Sequence, residues 1–299
     1  MSAAPPGRME VEQELEDVRQ GLWLDAWRRL RANRATVVSL GVLGVVILLV
    51  LFGPWLSRYS VAFTDWDHIS MAPGLASGHW FGTDYVGRDL FVRTLAGGRI
   101  SLAIGIAATG VSLLVGISYG AMAGFMGGRI DNIMMRVVDI LYALPFMFFV
   151  ILLMVVFGRN IILVFVAIGA VNWLDMARIV RGQTLSLKQR EFIEAARASG
   201  VSSITIVRRH IIPNLLGVVV IYVTLTIPQV ILVESFLSFL GLGVQEPNAS
   251  WGALINDGAQ EMETAPWMLI FPALFLGLTL FCFNFIGDGL RDALDPKDL

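Results

Sequence analysis

Residues 185–214, LSLKQREFIEAARASGVSSITIVRRHIIPN, form a polar, helix-forming stretch between two hydrophobic blocks too long for the core of a soluble domain. Leu185 to Ser199 holds good helix formers with no internal Gly or Pro, which predicts one helix. Gly200 follows as the residue able to take a left-handed stop that a side chain resists. Ser202 or Ser203 can cap a second helix, on which Ile204, Val207 and Ile211 share a face and which Pro213 is expected to close. The small residues Ala195, Ala196, Ala198 and Gly200 leave the backbone open to close approach by another surface. A basic segment with a glycine turn also suits a helix-turn-helix DNA reader, but the flanking membrane blocks argue against nucleic acid. A two-helix elbow held on one side of a membrane is placed to take force from another protein.

The blocks around the elbow set the class. Of 299 residues, 56% are hydrophobic and 15% charged, with a mean hydropathy of +0.71. Soluble domains sit near 45–50% apolar and about 25% charged. The excess is gathered into runs of the length a bilayer needs, roughly 20 residues for a hydrocarbon core of about 30 Å. These predict an all-α membrane protein with six transmembrane helices, near Ala35–Leu56, Ile100–Phe125, Ile133–Phe157, Ile161–Val180, Leu215–Leu240 and Trp267–Ile286. With the first 34 residues placed in the cytoplasm, most Arg and Lys fall inside, including Arg178, Arg181, Lys188, Arg190, Arg197, Arg208 and Arg209 of the elbow region. Only Arg58, Arg88, Arg93, Arg99 and Arg159 fall outside. The positive-inside rule therefore puts both termini and the elbow in the cytoplasm.

The start of the chain is polar, with an acidic run from Glu10 to Asp17, so no signal peptide is expected. Trp23, Trp27 and Leu30 among Arg28, Arg29, Arg31 and Arg34 fit an amphipathic helix along the inner surface, or equally a cluster of charges flanking the first span. In the second span Gly116, Gly120 and Gly124 recur at four-residue spacing, one step after Ser112, and form a groove for another helix. Glycine is also simply common in membrane helices. Pro145 and Pro228 fall inside the third and fifth spans, where each removes a backbone donor and is expected to kink its helix.

No catalytic set is present: neither a phosphate-binding G-x-x-x-x-G-K-[ST], nor H-E-x-x-H, nor G-x-S-x-G. The chain is read as no enzyme and as binding no cofactor; if ATP drives it, other subunits hold the ATP and Mg. Cys282 is the sole cysteine and lies in an apolar run, which excludes disulfides and thiolate metal sites. His68, His79 and His210 are dispersed, which argues against a metal centre. On the outer side, Asp84 with Arg88 and Asp89 with Arg93 are spaced as neighbours on a helix, and Gly82, Gly87, Gly97 and Gly98 punctuate as turns. Trp251 and Trp267 of the second outer loop suit interfacial anchors. Glu234 is acidic within the body of a late span, where a charge costs at least ~2.5–3.5 kcal/mol and must face protein or water. Asp139, Asp175 and Asn172 near span ends are weaker candidates.

The elbow resembles the loop that gives permease subunits of ATP-binding-cassette importers their E-A-A signature: E-A-A, three residues, Gly, nine residues, then I-x-L-P. Glu194, Ala195, Ala196, Gly200 and Pro213 match; His210 stands in place of Ile and Ile212 in place of Leu. Together with FGTDYVGRD, GGRIDNIMMR, RHIIPN, ESFLSFLGLGVQEP and NFIGDGLRDALDP, the chain resembles C-type permease subunits of bacterial peptide importers from about Trp23 to its end. The oligopeptide branch is nearest, with dipeptide and nickel branches close. The resemblance implies a type I importer permease, with one N-terminal helix (35–56), an outer segment (57–99), a five-helix core (100–290) bearing the elbow (181–214), and cytoplasmic ends at 1–34 and 291–299. It also implies a homologous B-type permease partner, two cytoplasmic ATPase subunits, a periplasmic peptide-binding protein and a peptide substrate. Glu234 would then lie near the outer end of its helix, as a gate or, more in keeping with that position, as a brace hydrogen-bonded near Ser235 and Ser238. An ion-coupled secondary transporter is the rival class, but it calls for inverted repeats and paired intramembrane charges that the sequence lacks.

Overall fold

Asp89 starts the helix around which the molecule is built. Its carboxylate accepts the N–H of Val92, and α2, Leu90–Met126, then runs 37 residues until Gly127, at φ +67°, stops it. At 1.5 Å per residue this is about 55 Å, far longer than a hydrocarbon core of about 30 Å. The helix begins well before Ile100, so Gly97 and Gly98 are helical rather than turns; they lie against Ser250 and Trp251. Gly82 and Gly87 are turns, with φ of +79° and +83°.

The computed structural model describes residues 27–158 and 161–294; among these the regular structure is helical, with irregular segments at 56–89 and 240–250 and isolated bridges Thr64–Arg88 and Thr83–Asp89. A helical turn at 27–32 precedes α1, Arg34–Phe52, which Asn33 caps. After α2 come α3 (Gly128–Tyr142), α4 (Phe146–Phe157), α5 (Ile161–Leu187), α6 (Glu191–Ala198), α7 (Ser203–Phe239), α8 (Trp251–Gln260) and α9 (Trp267–Leu294). Trp23 lies outside the described residues; in the turn at 27–32, Arg31 covers the Trp27 ring and Leu30 packs against Ala293.

Four helices among the described residues are long and apolar enough to cross a membrane: α1 with its terminal turn, α2, α7 and α9. Six were expected. The third expected span is two helices, because Pro145 follows the end of α3 and sits at the N-cap of α4 in extended conformation; it breaks the helix where a kink was expected. The short apolar α4 remains. The fourth falls on α5, which is outside the four. Pro228 does lie within a helix, α7.

The small residues determine the packing. Gly116, Gly120 and Gly124 line the contact of α2 with α5: a Cβ on Gly116 would stand 2.6 Å from Met176 Cβ, on Gly120 2.9 Å from Val180 Cβ, and on Gly124 2.8 Å from Thr184 Cβ. The matching order of these contacts along both chains makes α2 and α5 parallel, their backbones too close for side chains. On α1 the buried face is Thr36, Ser39, Leu43, Val46 and Val50, at coiled-coil spacing, with Thr36 lying against Gly289 of α9. α2 contributes to all three large clusters, through Leu95 and Leu102, then Ile104 and Ala108, then Ala121 and Phe125.

Candidate functional site

The elbow sits at the C-terminal end of α2. α5 ends at Leu187, a turn carries Lys188 to Arg190, and α6 spans Glu191–Ala198. The single helix expected over Leu185–Ser199 is thus interrupted: the turn redirects the chain so that Ile193 enters the core, fully buried. Gly200 takes φ +75° with open space around it, and Ser202 caps α7 by accepting the Thr205 N–H. Pro213 does not close this helix. The first turns of α7 widen into a π-turn over Val207–Ile211, with the Ile212 N–H donating to Val207 O, and Pro213 enters the following α-helical run near its start, where its missing donor costs nothing. The buried face is Ile206 and Ile211 with part of Val207; Ile204, expected on that face, is 71% exposed.

Ile193, Ile206 and Ile211 seat the elbow on Ala121, Phe125, Met176, Val180, Leu215 and Val219. Above them Glu191, Phe192, Glu194, Ala195, Arg197, Ala198 and Gly200 are exposed, and Ala196 is half-buried. The Arg197 guanidinium lies 4.7 Å from the Phe125 ring centre, a cation–π contact that adds a lateral tie. Nearby, Arg181 of α5 forks onto Asp131 of α3, with Nη2 to Oδ2 at 2.7 Å, and Arg178 pairs with Asp139 at 2.9 Å. The elbow therefore presents a small-residue, mixed-charge surface and packs its underside onto the bundle beneath.

At the other end of α2 lies a charged cluster that the sequence shows only in part. Asp84 and Arg88 pair at 2.7 Å, but across a turn ahead of α2 and not as neighbours on a helix. Asp89 does not pair with Arg93 through its side chain, because it is spent capping α2 and holding His79. Arg93 turns instead to Asp84 at 3.5 Å and Glu246 at 3.4 Å, and Glu246 also meets Arg88 at 2.8 Å. Burial opposes the charge on Arg88, but the hydrogen bond to Glu246 and the charge of Asp84 outweigh it and raise its pKa above the ordinary arginine value. The Arg88 hydrogen bond in turn lowers the Glu246 carboxyl, and burial pushes Asp257 of α8 up. Glu246 went unnoticed in the sequence because nothing in its loop signals a partner more than 150 residues earlier.

Glu234 is 0% exposed and close to this end. Ser238 donates to its Oε1 at 2.7 Å and Ser101 to its Oε2 at 3.1 Å. Ser101 also accepts the Trp251 N–H and Ser238 the Val244 N–H, so the carboxyl knots α2, α7, the loop after it and α8 together. Trp251 is no interfacial anchor: it is fully buried, its indole N–H donating to Thr94 O at 2.9 Å. Trp267 is partly buried and donates to Thr83 O. The fold also gathers two of the dispersed histidines, His68 and His79, beside Asp65. Asn172 donates to Ile168 O within its own helix.

The family described as "Binding-protein-dependent transport system inner membrane component" matches residues 116–297, and "N-terminal TM domain of oligopeptide transport permease C" matches residues 21–73. Among curated proteins, the chain is 62% identical to the oligopeptide transport system permease protein OppC of Escherichia coli K12, over 96% of this chain and 95% of that one. It is 58% identical to that of Haemophilus influenzae, over 96% and 92%. The dipeptide transport system permease protein DppC of Bacillus subtilis is 46% identical over 91% and 85%. Among solved structures, the MetNI methionine ABC transporter in an inward-facing conformation aligns with TM-score 0.55 at 20% identity, covering 68% of this chain and 96% of that one, which shows a shared fold. Long apolar helices and these relatives make it a multi-pass inner-membrane protein of a multi-subunit transporter. The chain belongs to the family of inner-membrane permease subunits of binding-protein-dependent importers, in its oligopeptide permease C branch, and is a non-catalytic transport component.

Proposed function

We propose that the chain moves oligopeptides from the periplasm to the cytoplasm as one half of a permease pair, and that the elbow from Glu194 to Gly200 is where ATP-driven motion enters it. Both termini and the elbow lie in the cytoplasm in this reading. A homologous B-type permease completes the pathway, two ATPase subunits grip the two elbows, and a periplasmic binding protein delivers the peptide. When ATP closes the ATPases the elbows move together. Ile193, Ile206 and Ile211 carry that motion into α2, α5 and α7, and the bundle rocks outward-open; hydrolysis returns it. Glu194 and the small residues Ala195 and Ala196 offer the docking surface, Gly200 sets its bend, and Pro213 lies inside α7 just past the π-turn, at the end of the elbow.

The observation that carries this is an exposed elbow whose underside is continuous with the core. Gly200→Val tests it. No atom blocks a side chain there, but the left-handed backbone costs an L residue roughly 1–2 kcal/mol, so the elbow changes shape while the bundle stays folded. The complex should assemble and hydrolyse ATP while peptide uptake falls about tenfold or more, the factor that ~1.4 kcal/mol brings, and Gly200→Asn should retain most uptake. Full uptake by the valine variant would refute the reading. Full satisfaction of Glu234 by serine hydroxyls gives no support to a proton-coupled carrier. The resemblance to a dipeptide permease keeps shorter peptides as the second reading, decided by which ligand the binding protein carries.

A further inference from the structure

We propose that Asp65, His68 and His79 form a binding site for a divalent first-row transition metal of the zinc class, on the segment between α1 and α2. The argument starts with His79, which is 1% exposed. Its Nδ1 donates to Asp89 Oδ2 at 2.8 Å. Asp89 is an acceptor on its other oxygen too, taking the Val92 N–H at 2.9 Å, so the proton of this pair resides on His79 Nδ1. Nε2 is then left with a lone pair, and no hydrogen-bond partner reaches it. It faces Asp65 Oδ2 at 3.8 Å, beyond hydrogen-bond reach and itself an acceptor. Two buried or half-buried acceptors facing each other leave a polar atom without compensation unless a cation sits between them.

The rest of the geometry suits a metal. His68 Nδ1 lies 2.9 Å from the same Asp65 oxygen, and one ligand atom from each of the three residues falls within 4.8 Å of the others. Zinc bonds of about 2.0–2.2 Å to nitrogen and oxygen set tetrahedral donors roughly 3.3–3.6 Å apart. The Asp65–His79 pair is within a few tenths of an ångström of that spacing, and the His68 ring, 47% exposed, would give up its hydrogen bond to Asp65 to present Nδ1 to the ion. Asp89 behind His79 fixes tautomer and ring direction, as an outer-shell carboxylate does for a zinc-bound imidazole. Tyr59 stacks on the His79 ring at 4.2 Å and 14° and fixes its plane. Two nitrogens and one carboxylate oxygen leave a fourth position, open to water beside the exposed His68. The bound ion staples the loop carrying Asp65 and His68 to the residues that launch α2. The reading is independent of the transport mechanism.

The test uses the intact transporter in nanodiscs, stripped with a chelator and titrated with Zn2+ against a chromophoric competitor. The complex should gain one tight zinc equivalent that His68→Ala and Asp65→Asn each weaken by about 100-fold or more, the upper end of the loss that even an outer-shell change brings. His68 is exposed, so its variant keeps the fold, and thermal unfolding without metal verifies this. His210→Ala should change nothing. X-ray absorption on the loaded complex should give nitrogen and oxygen neighbours at about 2.0–2.2 Å. Absence of tight zinc, or zinc binding indifferent to both variants, overturns the proposal.

Discussion

Glu234 shows how one buried carboxyl can tie several elements together. Its two oxygens are the acceptors for Ser101 and Ser238, and those hydroxyls in turn receive backbone N–H groups of Trp251 and Val244. Glu234→Ala strands both hydroxyls, at about 1–3 kcal/mol for each buried group left unsatisfied. Thermal unfolding in detergent should show a clear loss, and Glu234→Gln, which keeps one acceptor oxygen, a smaller one. Equal stability of alanine variant and parent would argue for a mobile gate. Glu246 acts differently, because its side chain is 56% exposed. Its carboxyl is lowered by Arg88, so the pair contributes above the ordinary glutamate value of 4.5 and is lost as pH falls through the depressed pKa. Screening keeps this under about 1 kcal/mol. In Glu246→Gln the acid-side loss of stability should flatten slightly, and above pH ~5 the variant should sit below the parent by that same small amount.

The helices pack where side chains are absent. Gly120 is closed in by Val180 and the α5 backbone, whereas Gly110, on the same helix, has open space. Gly120→Leu should cost about 1–3 kcal/mol or separate α2 from α5, and Gly110→Leu close to nothing. Thermal stability of the two variants side by side decides it. Four-residue glycine spacing is a local property of a helix, so this groove was legible in the sequence; its partner, α5, was not, since any apolar helix could fill it. The same distinction runs through the elbow. Gly200 and Ser202 act on their own backbone, and the stop and the cap lie where local chemistry puts them. The turn at Lys188–Arg190 is built from good helix formers and is imposed by burial of Ile193. The π-turn before Pro213 likewise answers to the need to bury Ile206 and Ile211 together, information that resides in the core. Trp251 was misread for the same reason: in sequence it stands in a loop, and only the serines around it reveal a buried helix start.

The molecule as a whole is a long central helix with two finished ends. One end carries the charged cluster, the Glu234 knot and the histidine pair; the other carries the elbow, and α2 joins them with side chains in every large cluster. The helical membrane class and the family were readable from hydrophobic block length and the E-A-A stretch. Convergence of Asp65, His68 and His79 was not, because it depends on the path of a segment with no regular structure.

Whether an ATPase subunit grips this elbow can be read from a single thiol at Ala198, which is exposed, with the buried Cys282 replaced by Ser. In the assembled transporter, a short bifunctional reagent applied to inside-out vesicles should join the Ala198→Cys chain to the ATPase subunit, with a yield that changes between ATP-bound and nucleotide-free states. Labelling of that thiol by an impermeant maleimide from the periplasmic side of intact spheroplasts, or a thiol that never reaches the ATPase in either state, would contradict the proposed grip.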